Sequence, residues 1–270
     1  MHFVLYTDKN YEHMVKSFIE SCIYAGLNEQ ILYYTLGFES DLDYPNLTKI
    51  RFELLPHKLN LVYYKPDILK DSLKYIDTAC FFDSDILMSK RFKVEDFENK
   101  NLDFPLSCLA PEQYPYVFWT NGVDTIPFDD GKIREYFNVP LRTMGYVYSC
   151  QISYNKSCED FIDEWLSVCD NKYLLNKGKI LGDREYFPFY DETPYNLVLW
   201  KRNIQNNLGH RFLNTAKFET FLHVESNDDI TDTYLDNLYG LVKDSSEISF
   251  YHGFKDKEEI QKVLDWMSQN

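Results

Sequence analysis

Two aspartates one residue apart, Asp83 and Asp85, stand where the apolar run Thr78-Ala79-Cys80-Phe81-Phe82 ends, and Ile86-Leu87-Met88 follows them. Carboxylates hemmed in by apolar residues are expensive to desolvate unless a counter-charge accompanies them. A hard divalent cation with oxygen ligands supplies that charge and keeps coordination positions open for phosphate oxygens. Held there, it would neutralise a departing diphosphate. A second Asp-x-Asp, Asp41-Leu42-Asp43, lies in a polar stretch that reads as a solvated turn. The flanking apolar residues therefore single out Asp83, Ser84 and Asp85, against the plainer reading that they only turn the chain or cap a helix after the strand.

The elements needed to position this pair can be read along the chain. Residues 3 to 6 form a short apolar strand ending in Thr7-Asp8. A helix follows with Met14, Val15, Phe18, Ile19, Cys22 and Ile23 on one face, stopped by Gly26. Ile31 to Leu36 and Thr48 to Leu54 read as strands, giving a β-α-β-β opening. Pro66 suits the first turn of a helix running to Ile76, with Leu69, Leu73 and Ile76 on a shared face, and Thr78 to Phe82 is the buried strand that delivers the aspartates.

Further on, the pattern predicts a helix at Lys132 to Phe137, a strand around Tyr146 to Ser153 and an amphipathic helix from Ser157 to Val168. Ile248 to Tyr251 alternates like a strand, and Asp256 caps a helix over about 256–268 carrying Ile260, Val263, Leu264 and Met267. Strands alternating with helices predict an α/β fold, a mixed sheet flanked by helices. At 270 residues, with no linker-like stretch, the expectation is a single domain over 1–270.

An apolar strand followed by Asp-x-Asp also opens the haloacid dehalogenase type of phosphatase, whose first aspartate is a nucleophile. That pattern sits near the start of its domain and continues with small residues, whereas Ile86-Leu87 follow here. Its later Gly-Asp-x-x-x-Asp also fails, since Gly182-Asp183 leads to Phe187. It stands as a minor alternative.

Several short motifs, in order, resemble the retaining glycosyltransferases related to glycogenin and to the bacterial lipopolysaccharide galactosyl- and glucosyltransferases. Thr7-Asp8-Lys9-Asn10-Tyr11 looks like that family's Thr-Asp-x-Asn-Tyr. The resemblance implies that Asp8 and Asn10 hydrogen-bond the nucleotide and that Tyr11 stacks on uracil. Tyr64-Lys65-Pro66 resembles the segment whose basic residue contacts the donor; a surface lysine is the competing reading of Lys65. Asp191-Glu192-Thr193-Pro194-Tyr195-Asn196 resembles Asp-Gln-x-x-x-Asn, whose leading pair touches the transferred sugar, with Glu192 replacing the glutamine.

Tyr251-His252-Gly253-Phe254-Lys255 resembles a shortened His-x-x-Gly-x-x-Lys-Pro, in which the histidine completes the metal site and the lysine meets the diphosphate. The family's Asn-x-Gly has no match in Tyr148 to Asn155. Together these imply a GT-A fold, the Rossmann-like fold of nucleotide-diphospho-sugar transferases. They also imply transfer of a hexose from UDP-glucose or UDP-galactose to an acceptor hydroxyl with retention. Asp83, Asp85 and His252 would be the metal ligands. An imidazole beside carboxylates favours Mn2+, with Mg2+ as the second choice. A non-catalytic nucleotide-sugar or glycan-binding module on the same scaffold is the alternative from another class.

Composition narrows the partners. With 28 basic against 43 acidic residues, the formal charge of -15 disfavours nucleic acid and anionic membrane surfaces. No long apolar segment reads as a membrane span, so a cytoplasmic location is expected. Six cysteines without CxxC pairs read as buried thiols. Aromatics reach 17%; most are expected in the core, although Tyr114 to Trp119 could line a carbohydrate cleft.

Overall fold

The computed structural model describes residues 1–58, 61–100, 102–109, 138, 147–170, 192–204, 250–252 and 260–265. The chain divides into two compact units. The first is built from Met1–Glu53, Cys80–Glu98 and Asn214–Asn270, and the second from Leu54–Ala79 and Asn99–Leu213.

In the first unit, β1 (His2–Thr7) pairs in parallel with β2 (Gln30–Leu36), and β2 with β3 (Leu47–Phe52). β1 and β2 are buried almost end to end, the near-continuous apolar pattern of strands covered on both faces. β3 is half exposed and carries Lys49 and Arg51. Arg51 is 3.0 Å from both Glu39 and Glu53, and such charge suits a sheet edge. β4 (Thr78–Phe82) lies on the other side of β1, giving the order β3-β2-β1-β4. The chain thus leaves β1 toward one side for β2 and returns on the other for β4. In open α/β sheets such a reversal is where a ligand crevice forms, beyond the carboxyl ends of the strands.

Helix α1 (Glu12–Ala25) connects β1 to β2 and ends on Gly26 at φ 75°. Leu27 N donates to Cys22 O at 2.9 Å, a closure that needs the left-handed residue glycine adopts without strain. Met14, Val15, Phe18, Ile19 and Cys22 are buried as expected, but Ile23 is 56% exposed and Ser21 is buried instead. The reason is the neighbour that α1 packs on. β5 (Ile86–Met88) lies along the Ser21 side, and Ser21 Oγ accepts from Met88 N at 2.8 Å while donating to Phe18 O at 2.7 Å. Phe3, Phe18, Phe82 and Phe92 fill the core beneath, with ring centroids 5.3–6.1 Å apart.

In the second unit β7 (Val147–Asn155) pairs antiparallel with β6 (Leu106–Leu109). Helix α2 (Lys65–Ser72) begins with Pro66 in its first turn, as the sequence predicts, yet stops four residues short of Ile76. The chain tightens there: Lys74 N bonds Asp71 O and Tyr75 N bonds Ser72 O, each three residues back, while the Ser72 hydroxyl bonds Leu69 O and Tyr154 Oη. Helix α3 (Glu159–Cys169) and helix α4 (Glu192–Lys201) complete the unit. Trp165 and Phe161 pack on Tyr195, with centroids at 4.8 and 5.6 Å.

α3 and α4 are also tied by charge: Glu164 meets Lys201 at 2.5 Å and Arg202 at 2.6 Å. Burial works against the Glu164 carboxylate, but these two cations outweigh it and hold its pKa below the ordinary value. A depressed folded pKa gives stability that is full above the unfolded value, about 4.3, and is lost as pH falls through the folded one. Glu164→Gln is therefore expected to flatten the acid limb of a stability-against-pH curve below about pH 4.3, measured by urea unfolding.

Five cysteines, Cys22, Cys80, Cys150, Cys158 and Cys169, are buried free thiols. Residues 260–265 are helical, with Ile260, Val263 and Leu264 buried, the stripe the sequence predicts. The segments expected at 132–137 and 114–119, as well as Met267, Ile248 and Ser249, lie outside the described residues. No helix among the described residues is long and apolar enough to cross a membrane.

Candidate functional site

Both motifs of the first unit follow the carboxyl ends of neighbouring strands. Thr7 closes β1, and Asp8 turns the chain into the short 3-10 turn Lys9–Tyr11 ahead of α1. Asp8 shapes that turn with its own side chain: Oδ1 accepts from Asn10 N at 3.0 Å and Tyr11 N at 3.3 Å, while Oδ2 accepts from Asn10 Nδ2 at 3.3 Å. Tyr11 projects from the turn half exposed, so an aromatic face is presented to solvent.

Asp83, Ser84 and Asp85 form the turn between β4 and β5, and all three are half-buried. By contrast, Asp41 and Asp43 are exposed in an irregular loop, as the sequence reading expects. The rings of Tyr6 and Phe81 stack at 5.7 Å, which brings the ends of β1 and β4 together. Asp8 lies two residues past Tyr6 and Asp83 two past Phe81, each within about 7 Å of chain from that contact at full extension.

A third segment joins from far along the chain. β8 (Phe250–His252) pairs antiparallel with β5, and His252 is the register partner of Ile86, the residue that follows Asp85. Partners in an antiparallel ladder have Cα atoms about 4.5–5.5 Å apart. The backbone of His252 thus lies beside the aspartate turn although 166 residues separate it from Ile86 in sequence. The two half-buried carboxylates are oxygen donors of the kind a hard divalent ion accepts. The imidazole of His252, together with Gly253 and Lys255, lies outside the described residues. Among the described side chains no group of three or more His, Cys, Asp or Glu is gathered for a metal.

Two residues that the sequence reading passes over adjoin the Asp8 turn. Tyr33 of β2 is fully buried, and burial first, then the charges of Glu12 and Asp8, pushes its hydroxyl pKa upward. Tyr33 Oη and Glu12 Oε1 are buried without a hydrogen-bond partner among the described residues. Tyr33 was legible only as one more apolar position in a strand.

The second unit gathers a different set. Lys65 is 2% exposed, so it is not a surface lysine; its Nζ donates to Ser149 O at 3.0 Å and Ser149 Oγ at 3.1 Å. Ser149 N donates in turn to Glu192 Oε1 at 3.2 Å. Lys65 and Glu192, 127 positions apart and both singled out in the sequence, meet on one residue of β7. Ser149 was missed, and its signal was the row Ser149, Gln151, Ser153 and Asn155, polar at every second position of a strand buried throughout. Asp191 lies outside the described residues.

Asn196 fixes where Glu192 sits. Its Oδ1 accepts from Val147 N at 2.8 Å, and its Nδ2 donates to Val147 O at 2.8 Å and Glu192 O at 2.9 Å, clamping the first turn of α4 onto β7. Asn196→Ala would leave buried backbone groups of Val147 without that partner. The expected loss is about 1–3 kcal/mol of stability, checked by denaturant unfolding.

The α/β sheet, with its strand order reversing between β1 and β4, fits a GT-A-like fold. The chain is similar in fold to a solved structure titled WbbM bifunctional glycosyltransferase, apo structure, with a TM-score of 0.58 and 13% sequence identity. The similarity covers 100% of this chain and 50% of that one, so the chain spans half the length of that protein. No protein-family model matches the sequence, and no curated protein matches it.

Proposed function

We propose that the chain is a metal-dependent glycosyltransferase that moves a hexose from a UDP-sugar, UDP-glucose or UDP-galactose in the first instance, to an acceptor hydroxyl. The observation that carries the reading is the Asp83-Ser84-Asp85 turn at the end of β4, with β1 and its Asp8–Tyr11 turn on one side and the backbone of His252 paired beside it. The glycosyltransferase neighbour in fold supports it.

In this reading the uracil meets Asp8, Asn10 and Tyr11, while Thr7 ends the strand that presents them. The Asp8 carboxylate does so from a turn it already holds rigid, which lowers the ordering cost of binding. Asp83, Asp85 and His252 hold Mn2+, or Mg2+ in its place, with Ser84 and Gly253 shaping the turns around them. Once bound, such an ion stabilises charge developing on the leaving diphosphate. Lys255 adds positive charge to the same end. Asp191 and Glu192 attend the transferred sugar, orienting its hydroxyls or stabilising positive charge at the anomeric carbon. A cytoplasmic location and a single-domain organisation belong to the same proposal.

A donor panel assayed by UDP release tests this directly. Turnover of at least one UDP-hexose in the presence of Mn2+ is the expected result. UDP binding with no turnover across a broad panel would instead indicate a binding module. The stereochemistry is proposed as retention, and proton NMR of the product decides it: a β-linked product from an α-linked donor would make Glu192 or Asp191 a general base.

A further inference from the structure

An ammonium withdrawn from water needs acceptors for its three N–H groups and a counter-charge to offset desolvation. Lys65, buried at the first position of α2, gives two of those N–H groups to Ser149, one to the backbone oxygen and one to Oγ. The amide of that same serine holds Glu192 Oε1. One residue in the middle of a fully buried strand therefore carries a cation on its carbonyl and hydroxyl and a carboxylate on its N–H.

The surroundings leave Glu192 little freedom. It opens α4, where the helix N-terminus favours negative charge. Its own backbone oxygen is held by Asn196, which is bonded on both sides of Val147. A carboxylate in such a place, rather than the amide of the resembling family, keeps a single rotamer and its charge only if a cation nearby offsets the loss of water. Lys65 brings a cation to the serine whose amide holds that carboxylate.

We propose that Lys65 is a positioning residue for Glu192: through Ser149 it places a buried positive charge beside the carboxylate, holding it ionised and in one orientation, rather than contacting the donor diphosphate. The inference rests on the reading of Glu192 as the carboxylate that attends the transferred sugar, but the juxtaposition is testable without turnover.

The test titrates Glu192 by carbon-detected NMR on the full chain labelled at glutamate, with Glu192→Gln identifying the resonance. In Lys65→Met the Glu192 midpoint is expected to move up by about one pH unit or more, since an opposite charge nearby lowers a carboxylate's pKa by roughly that much. Lys65→Arg should restore at least half of the shift. An unchanged midpoint in folded Lys65→Met overturns the proposal.

Should Lys65→Met fail to fold, thermal melting of Lys65→Met/Glu192→Gln replaces that readout. A cooperative melt recovered in the double variant supports coupling of the two charges, because removing both partners leaves no buried charge stranded. A double variant that likewise shows no cooperative melt overturns it. Calorimetry separates this claim from the general one. Lys65→Met should bind UDP with Mn2+ as tightly as the unaltered chain while kcat falls. A large rise in its Kd for UDP would overturn the positioning role and make Lys65 a diphosphate contact. Failure of the unaltered chain to bind UDP would count against the transferase reading alone, with the NMR titration still deciding the Lys65 claim.

Discussion

Asp85→Ala is expected to lower UDP-sugar turnover by roughly two orders of magnitude or more while the chain stays folded; loss of one preorganised electrostatic contact to a developing charge has an effect of that size. A hundredfold corresponds to about 2.7 kcal/mol of transition-state stabilisation. The size of the effect follows from where Asp85 stands. It is half-buried in the turn between β4 and β5, and β5 is itself secured twice, by Met88 N on Ser21 Oγ and by its ladder with β8. Truncation at Asp85 removes a carboxylate without taking away either of those supports. Circular dichroism should therefore be unchanged, and turnover near that of the unaltered chain would remove Asp85 from the metal site.

Trp165→Ala should produce the largest loss of stability, about 3–5 kcal/mol, the range for emptying a buried tryptophan site. Trp165 is fully buried in α3, its ring 4.8 Å from that of Tyr195 in α4. Tyr195 cannot relax freely into the space, because its hydroxyl is bonded to Ser107 Oγ on β6 at 2.8 Å and the Phe161 ring also packs on it at 5.6 Å. A cavity that neighbours cannot fill costs most. Urea unfolding monitored on the α3–α4 signal should show a lower midpoint with the slope unchanged; a shift worth less than about 1 kcal/mol would mean that the site collapses.

What the sequence disclosed tracks how local the determining physics is. The β1-α1-β2-β3 opening was legible because each boundary has its own chemistry nearby: Asp8 caps the turn before α1, Gly26 closes the helix, and the strands between are apolar runs. Ile23 was placed on the wrong face because the buried arc of α1 is set by β5, a strand whose three residues pair with a segment 166 positions away. No periodicity within α1 carries that information. Likewise α2 tightens after Ser72, where Lys74 N and Tyr75 N bond carbonyls three residues back and Tyr154 on β7 engages the Ser72 hydroxyl, a contact 82 residues distant.

The candidate site divides along the same line. Asp83 and Asp85 stood out because two carboxylates in an apolar run contradict their surroundings. Ser149 did not, since a serine is unremarkable until Lys65 and Glu192 are seen to share it. Lys65 shows the opposite case: the sequence left a donor contact and a surface lysine open, and only the fold reveals a buried cation.

Calorimetric titration of UDP into the unaltered chain, in Mn2+ and again in EDTA, bears most directly on the claim that the aspartate turn gathers a cation against a nucleotide diphosphate. Binding in Mn2+ that EDTA weakens at least tenfold is the predicted result, with Asp85→Ala behaving in Mn2+ as the unaltered chain does in EDTA. Equal affinity in both buffers, or no binding in either, would contradict it.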